Sequence, residues 1–112
     1  MLAIIIPYYK LAFFKVTLQS LANQTDKRFK VYIGDDASPE DCSAVLKQFE
    51  GSFDFIYHRF ETNLGGTSLS KQWERCIELL DEEEKWFMIL GDDDYLSDNF
   101  VLNFHENYSL FQ

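Results

Sequence analysis

Asp92, Asp93 and Asp94 stand in a row behind Gly91, directly after the apolar run Trp86 to Leu90. Three consecutive carboxylates at the end of a buried strand repel one another unless a cation or protons intervene. In an extended segment Asp92 and Asp94 point to one side and Asp93 to the other, so the first and third could share one divalent ion. Hard oxygen ligands select Mg or Mn over zinc. The plainer alternative is a solvated acidic turn that caps the following helix. An EF-hand is excluded, because Leu96 and Ser97 stand where a third carboxylate and a glycine would be needed. Two more polar clusters follow apolar runs: Pro7-Tyr8-Tyr9 and Asp35-Asp36-Ala37-Ser38. No G-x-G-x-x-G follows the first run and no G-x-x-x-x-G-K-[ST] occurs, which demotes a dinucleotide fold and a P-loop kinase. Cys42 and Cys76 lie far apart with only His58 and His105 as companions, so neither a zinc site nor a disulfide framework is suggested.

The elements that must carry these clusters alternate. Leu2 to Ile6 is a continuous apolar run, the pattern of a strand covered on both faces. Phe14, Leu18, Leu21 and Ala22 recur at helical spacing across Leu11 to Asn23. Lys30 to Gly34 predicts the second strand, and Ser38-Pro39-Glu40-Asp41 predicts a helix capped by Ser38 and running to about Phe49. Phe53, Phe55 and Tyr57 alternate with Asp54, Ile56 and His58, a third strand. Leu69, Trp73, Cys76, Ile77 and Leu80 predict a helix over roughly Thr67 to Leu80, with Leu69, Trp73, Ile77 and Leu80 as one face buried on the sheet. The acids Asp81 to Glu84 read as a solvated turn at its C-terminal end. Trp86 to Leu90 predicts the fourth strand, and Ser97 caps a last helix whose stripe is Phe100, Val101, Phe104, Tyr108 and Phe111. This order predicts an α/β fold, a mostly parallel sheet with helices on both faces. Ligands of such sheets bind at the C-terminal strand edge, where all three polar clusters fall.

At 112 residues the chain is expected to form a single domain over 1–112. With 46% hydrophobic and 17% aromatic residues it carries enough apolar material for a core, which argues against disorder. Ten basic against 19 acidic residues give a net charge of −9, so a phosphate backbone is repelled and nucleic acid is a poor partner. No segment approaches the roughly 20 apolar residues that span a bilayer, and the opening run lacks the basic flank of a signal peptide. The expected location is the cytoplasm, or the inner face of a membrane reached through regions outside this sequence. The final stripe runs into Gln112 without a stop signal, so the chain is expected to be cut inside or just after a helix.

Ile4-Ile5-Ile6-Pro7-Tyr8-Tyr9, Leu18-Gln19-Ser20-Leu21-Ala22-Asn23-Gln24-Thr25, Asp35-Asp36-Ala37-Ser38, Asn63-Leu64-Gly65-Gly66 and Leu90-Gly91-Asp92-Asp93-Asp94 occur in this order. In order and spacing they resemble the N-terminal half of family 2 glycosyltransferases of the GT-A fold. The resemblance implies a Rossmann-like, nucleotide-sugar-binding half in which Pro7 and Tyr9 line the base pocket and Asp36 hydrogen-bonds the base. It implies that Asp92 and Asp94 hold a Mn or Mg ion in a D-x-D motif, with Asp93 on the nucleotide side. A second register is also compatible, since Gly91 stands where the first Asp of a D-x-D-D motif often lies; the metal duty then falls on Asp94 with Asp93. Lys71 and Arg75 become candidate diphosphate contacts, or else solvated helix charges. The implied activity is transfer of a hexosyl or N-acetylhexosaminyl unit, with inversion, from a UDP-linked sugar to a glycan or lipid-linked acceptor in polysaccharide biosynthesis. The family's general base is expected beyond Gln112, which leaves the fragment alone inactive. The competing readings are a degenerate interaction module that keeps the fold, and a receiver-type phosphoryl-transfer domain. The latter wants its acidic pair where Pro7-Tyr8-Tyr9 stands.

Overall fold

The computed structural model describes residues 1–107. Four strands, β1 (Leu2–Tyr8), β2 (Phe29–Asp35), β3 (Asp54–Arg59) and β4 (Trp86–Ile89), alternate with four helices, α1 (Phe14–Ala22), α2 (Ser43–Gln48), α3 (Leu69–Ile77) and α4 (Phe100–Asn107). The strands form one sheet in the order β3-β2-β1-β4. Every pairing is parallel, with Tyr8 opposite Asp35 and Ile5 opposite Ile89. β1 and β2 therefore occupy the centre, where both faces are covered, and this is why they read as unbroken apolar runs.

The alternation along β1 sorts the core into two layers. Leu2, Ile4, Ile6 and Tyr8 pack with Phe14, Leu18 and Leu21 of α1, Leu46 of α2 and Val101 of α4. Ala3 and Ile5 face the other way, onto Tyr32 and Cys76. Helices thus cover both faces, three on one side and α3 alone on the other. Gln24 fastens α4 to α1: its Nε2 donates to Ser97 O at 2.6 Å and its Oε1 accepts from Val101 N at 3.0 Å.

Several boundaries differ from expectation for identifiable reasons. α2 begins at Ser43 rather than after Ser38. Ala37 adopts a left-handed φ of 54°, and Ser38 spends its hydroxyl on Tyr9 O while accepting from Glu40 N at 3.0 Å. Tyr8 adds a bond from its hydroxyl to Glu40 O at 2.6 Å, so residues 38–41 form a loop strapped across the end of β1. α3 is shorter than 67–80, and its N-cap is Ser68, which accepts from Lys71 N at 3.2 Å. Only half of the expected apolar face meets the sheet: Ile77 and Leu80 pack, partly buried, against its second core layer. Gln72 and Cys76 are buried, whereas Leu69 and Trp73 are exposed at 55% and 37%. The cause is Gly34: without a Cβ it lets Cys76 Sγ seat directly on β2, and Gln72 Nε2 reaches Gly34 O at 3.4 Å. At the other end of this helix Asp81 is not merely solvated, because its Oδ2 accepts from Lys30 Nζ and Tyr32 Oη, both at 3.2 Å. α4 starts at Phe100, and Ser97 contributes its carbonyl, not a side-chain cap, to the preceding turn. Tyr108 and Phe111 of the expected stripe lie outside the described residues.

Candidate functional site

The C-terminal ends of β1, β2 and β4 open onto one cleft of about 900 Å³. Pro7, Tyr9 and Lys10 line it from β1, Asp36 from β2, Asn63, Gly65 and Gly66 from the loop after β3, Leu69 and Trp73 from α3, and Gly91 to Asp94 from β4. Six of the residues singled out in the sequence, Pro7, Tyr9, Asp36, Asp92, Asp93 and Asp94, therefore share one cavity. Lys71 does not line it and is exposed on α3. The amine that borders the cleft is Lys10, which no motif flagged. Arg75 does not line the cleft either, and reaches Asp36 from behind the cleft wall.

Asp36 is the most heavily bonded group in the cleft. Its Oδ1 accepts from Leu64 N at 2.7 Å and Arg75 Nη2 at 2.6 Å. Its Oδ2 accepts from Gly65 N at 2.9 Å and Asn63 Nδ2 at 3.0 Å. Four donors on two oxygens fix the carboxylate plane and fold the Asn63-Leu64-Gly65 turn over the cleft. Arg75 is held in turn by Thr62 O at 2.7 Å and Gln72 Oε1 at 2.6 Å, and its guanidinium carbon lies 4.0 Å from the centre of the Phe60 ring. Asp35, one residue earlier, points away into a separate cluster. It accepts from Ser38 N at 2.9 Å, from Arg59 Nη1 at 3.1 Å and from the Tyr57 hydroxyl. Burial, with Asp35 beside it, pushes the Tyr57 phenol well above its usual range, so the phenol stays a neutral donor.

The three aspartates do different things. Asp92 Oδ2 accepts from both Tyr9 N and Lys10 N at 2.8 Å, and its carbonyl accepts from Thr17 Oγ1 at 3.2 Å. It thereby ties the end of β4 to the loop between β1 and α1. The backbone turns at once, with Asp94 N bonded to Gly91 O at 3.2 Å, so the side-to-side alternation of an extended strand does not apply. Asp93 and Asp94 are both exposed, and their Oδ1 and Oδ2 lie 3.0 and 2.8 Å from the point where a Cβ on Gly91 would stand. A side chain at position 91 would fill the space in which these two carboxylates converge. Among the described residues, no three carboxylate, histidine or cysteine side chains gather as a ready-made metal cage. A pair of carboxylates fits a small hard cation that keeps its remaining positions for water and phosphate oxygens.

The family model for glycosyl transferase family 2 matches residues 3–108. The chain belongs to this family. No curated protein sequence matches it. Among solved structures, S. aureus TarS superposes with a TM-score of 0.83 at 21% identity, covering 97% of this chain and 19% of TarS. TarS 1-349 in complex with UDP-GlcNAc gives 0.85 at 20% identity, over 97% of this chain and 31% of that one. The same protein in complex with UDP gives 0.84 at 21%, over 97% and 32%. This family 2 chain thus has the Rossmann-like GT-A fold and spans a third or less of those solved chains. No helix among the described residues is long and apolar enough to cross a membrane.

Proposed function

We propose that the cleft binds a UDP-linked sugar together with Mg or Mn, and that this chain is the donor-binding part of an inverting glycosyltransferase acting on a glycan or lipid-linked acceptor. The observation that carries this reading is the single cleft that joins Tyr9 and Asp36 at one flank to Asp93 and Asp94 at the other. Pro7 and Tyr9 offer an apolar wall for the base, and Asp36, whose acceptor sites are filled by four donors, meets the base by exchanging one of them for a base N–H. Asp94 with Asp93 holds the cation, and Asp92 positions them by anchoring the turn to Tyr9 and Lys10. The metal supplies positive charge to the departing diphosphate without a proton donor. Lys10 replaces Lys71 as the side chain that meets the phosphates. In a chain of net charge −9, some cation is required before a diphosphate can approach three aspartates. The complexes of TarS with UDP-GlcNAc and UDP support the choice of probes.

The test is thermal unfolding with UDP, Mn and both. Because metal and nucleotide share a site that neither completes alone, their shifts should exceed the sum of the separate ones. At ligand near 100 times its Kd the stabilisation is about 2.7 kcal/mol. Asp94→Ala and Asp93→Ala should abolish the joint shift. Asp92→Ala should lower the ligand-free melting temperature yet keep the metal dependence; loss of that dependence alone would restore the Asp92 and Asp94 pairing. If no nucleotide and metal combination moves the transition, the chain is a non-catalytic module on this fold.

A further inference from the structure

The N-terminal part of α3 turns Leu69 and Trp73 to the cleft, while Gln72 and Cys76 sit on the sheet with Ile77 packed beside them. Gln72 and Cys76 are buried on β2, while Leu69 and Trp73 remain exposed and line the cleft alongside Ile89. A helix whose role was only to cover the sheet would bury the leucine and the indole and leave the amide in water. One turn apart, Leu69 and Trp73 form a continuous ridge. Arg75 leaves the helix on roughly the opposite side, since two residues advance the helix by about 200°, and it points toward Phe60, Thr62 and Asp36. The ridge is thus turned away from Arg75 and shares the cleft with Ile89 of β4, the strand that leads into Asp93 and Asp94.

A partly exposed indole with a leucine and an isoleucine lining the same cleft, and carboxylates at the rim, suits a ligand with one flat apolar face and a polar edge. A pyranose ring has this character: its axial C–H bonds gather on one face, and its hydroxyls radiate toward acceptors. A planar base would also stack, but the base flank of the cleft is the one at Tyr9 and Asp36. We infer that Leu69, Trp73 and Ile89 form an apolar subsite that stacks the C–H face of a pyranose ring, the ring coming from the donor or from a saccharide acceptor. This rests on the nucleotide-sugar reading above for its orientation, although the subsite itself can be tested without it.

The experiment is calorimetry of the chain, Trp73→Phe and Trp73→Ala with UDP, UDP-GlcNAc and the methyl glycoside of N-acetylglucosamine, each with Mn. Fluorescence is read in parallel, since Trp73 and Trp86 are the two tryptophans of the sequence. For a donor sugar, Trp73→Ala should raise the Kd for UDP-GlcNAc by about three- to tenfold, leave UDP unchanged and remove sugar-dependent quenching, while Trp73→Phe retains most of the affinity. For an acceptor sugar, the same loss should appear with the glycoside while the ratio of UDP-GlcNAc to UDP stays fixed. Equal weakening of UDP and UDP-GlcNAc would overturn the inference, because Trp73 would then meet the base. Unchanged affinities with a lowered melting temperature would overturn it too, leaving Trp73 a packing residue. If UDP fails to bind but the glycoside quenches Trp73, the nucleotide reading fails and the subsite stands; if nothing binds, both fall.

Discussion

Removing the Arg75 guanidinium tests whether the position of Asp36 is built or incidental. The two side chains are 16% and 6% exposed and meet at 2.6 Å, so the pair is largely shielded from water. Taking one partner from such a pair costs about 3 to 5 kcal/mol, because the other charge stays behind. Here the lower end applies, since Asp36 keeps Leu64 N, Gly65 N and Asn63 Nδ2 as donors. Arg75→Ala is therefore expected to lose about 3 kcal/mol in urea unfolding at unchanged m. Arg75→Lys keeps the charge but loses the fork that spans Asp36 and Gln72, along with the stacking on Phe60, and should recover only part of this. Asp36→Asn turns an amide toward donors that need an acceptor, so a cycle of the two substitutions should show coupling of about 1.5 to 3 kcal/mol. The folded fraction of Arg75→Ala should also bind UDP more weakly than the parent. A stability loss below about 1 kcal/mol with unchanged UDP affinity would refute the argument. It would mean that the backbone amides of the turn orient Asp36 without help from α3.

Two further outcomes follow from the seat of α3 and the state of the thiols. Gly34→Ala should destabilise the chain by about 1 to 3 kcal/mol through overpacking, because its Cβ would collide with Cys76 Sγ and approach Phe60 to 3.1 Å. Adding Cys76→Ala should recover much of that loss, and no recovery would show that the collision is not the cause. Burial pushes the Cys42 and Cys76 thiols up from 9.0 to about 11, with Asp35 adding to the effect at Cys42. Both should resist alkylation near neutral pH until the chain unfolds, as mass spectrometry of labelled samples would report. Their raised folded-state values also contribute stability that is present below the unfolded value of 9.0 and lost as pH rises toward 11, so urea midpoints should fall across that window.

The parts of the fold that are legible in the sequence are those in which each residue's own surroundings decide its state. β1 shows its central position because a strand covered on both faces can hold almost nothing but apolar side chains. α1 shows its inner face because Phe14, Leu18 and Leu21 all meet the same sheet layer. α2 misled because Ser38-Pro39-Glu40-Asp41 carries valid helix-start chemistry that a longer-range demand outbids: the Ser38 hydroxyl bonds to Tyr9 O, 29 residues away in sequence. α3 misled for a related reason. Its periodicity identifies an apolar ridge, but periodicity does not say that the Ile77 and Leu80 end meets the sheet while the Leu69 and Trp73 end meets a cleft. The glycine that decides this lies on β2, at position 34, with nothing local to mark it.

The acidic motif shows the same limit at the scale of single atoms. Parity along an extended strand pairs Asp92 with Asp94, and that inference holds only while the backbone stays extended. The chain turns at Gly91, and two backbone amides of the β1–α1 loop, more than 80 positions earlier, converge on Asp92 Oδ2. A carboxylate that accepts two amide hydrogens has less need of a metal than its neighbours have. Asp94 Oδ2 accepts one amide, from Gly91 N at 3.3 Å, and Asp93 accepts none among the described residues, so in the reading proposed above this pair gains more from a cation than Asp92 does. The glycine that looked like a gap in the family motif is then a requirement of the pairing. Ala at position 91 would press a methyl group against both carboxylates, and it should weaken Mn-dependent UDP binding while leaving the Asp92 anchor and the ligand-free stability largely intact. An unchanged Mn requirement in Gly91→Ala would return the metal to Asp92.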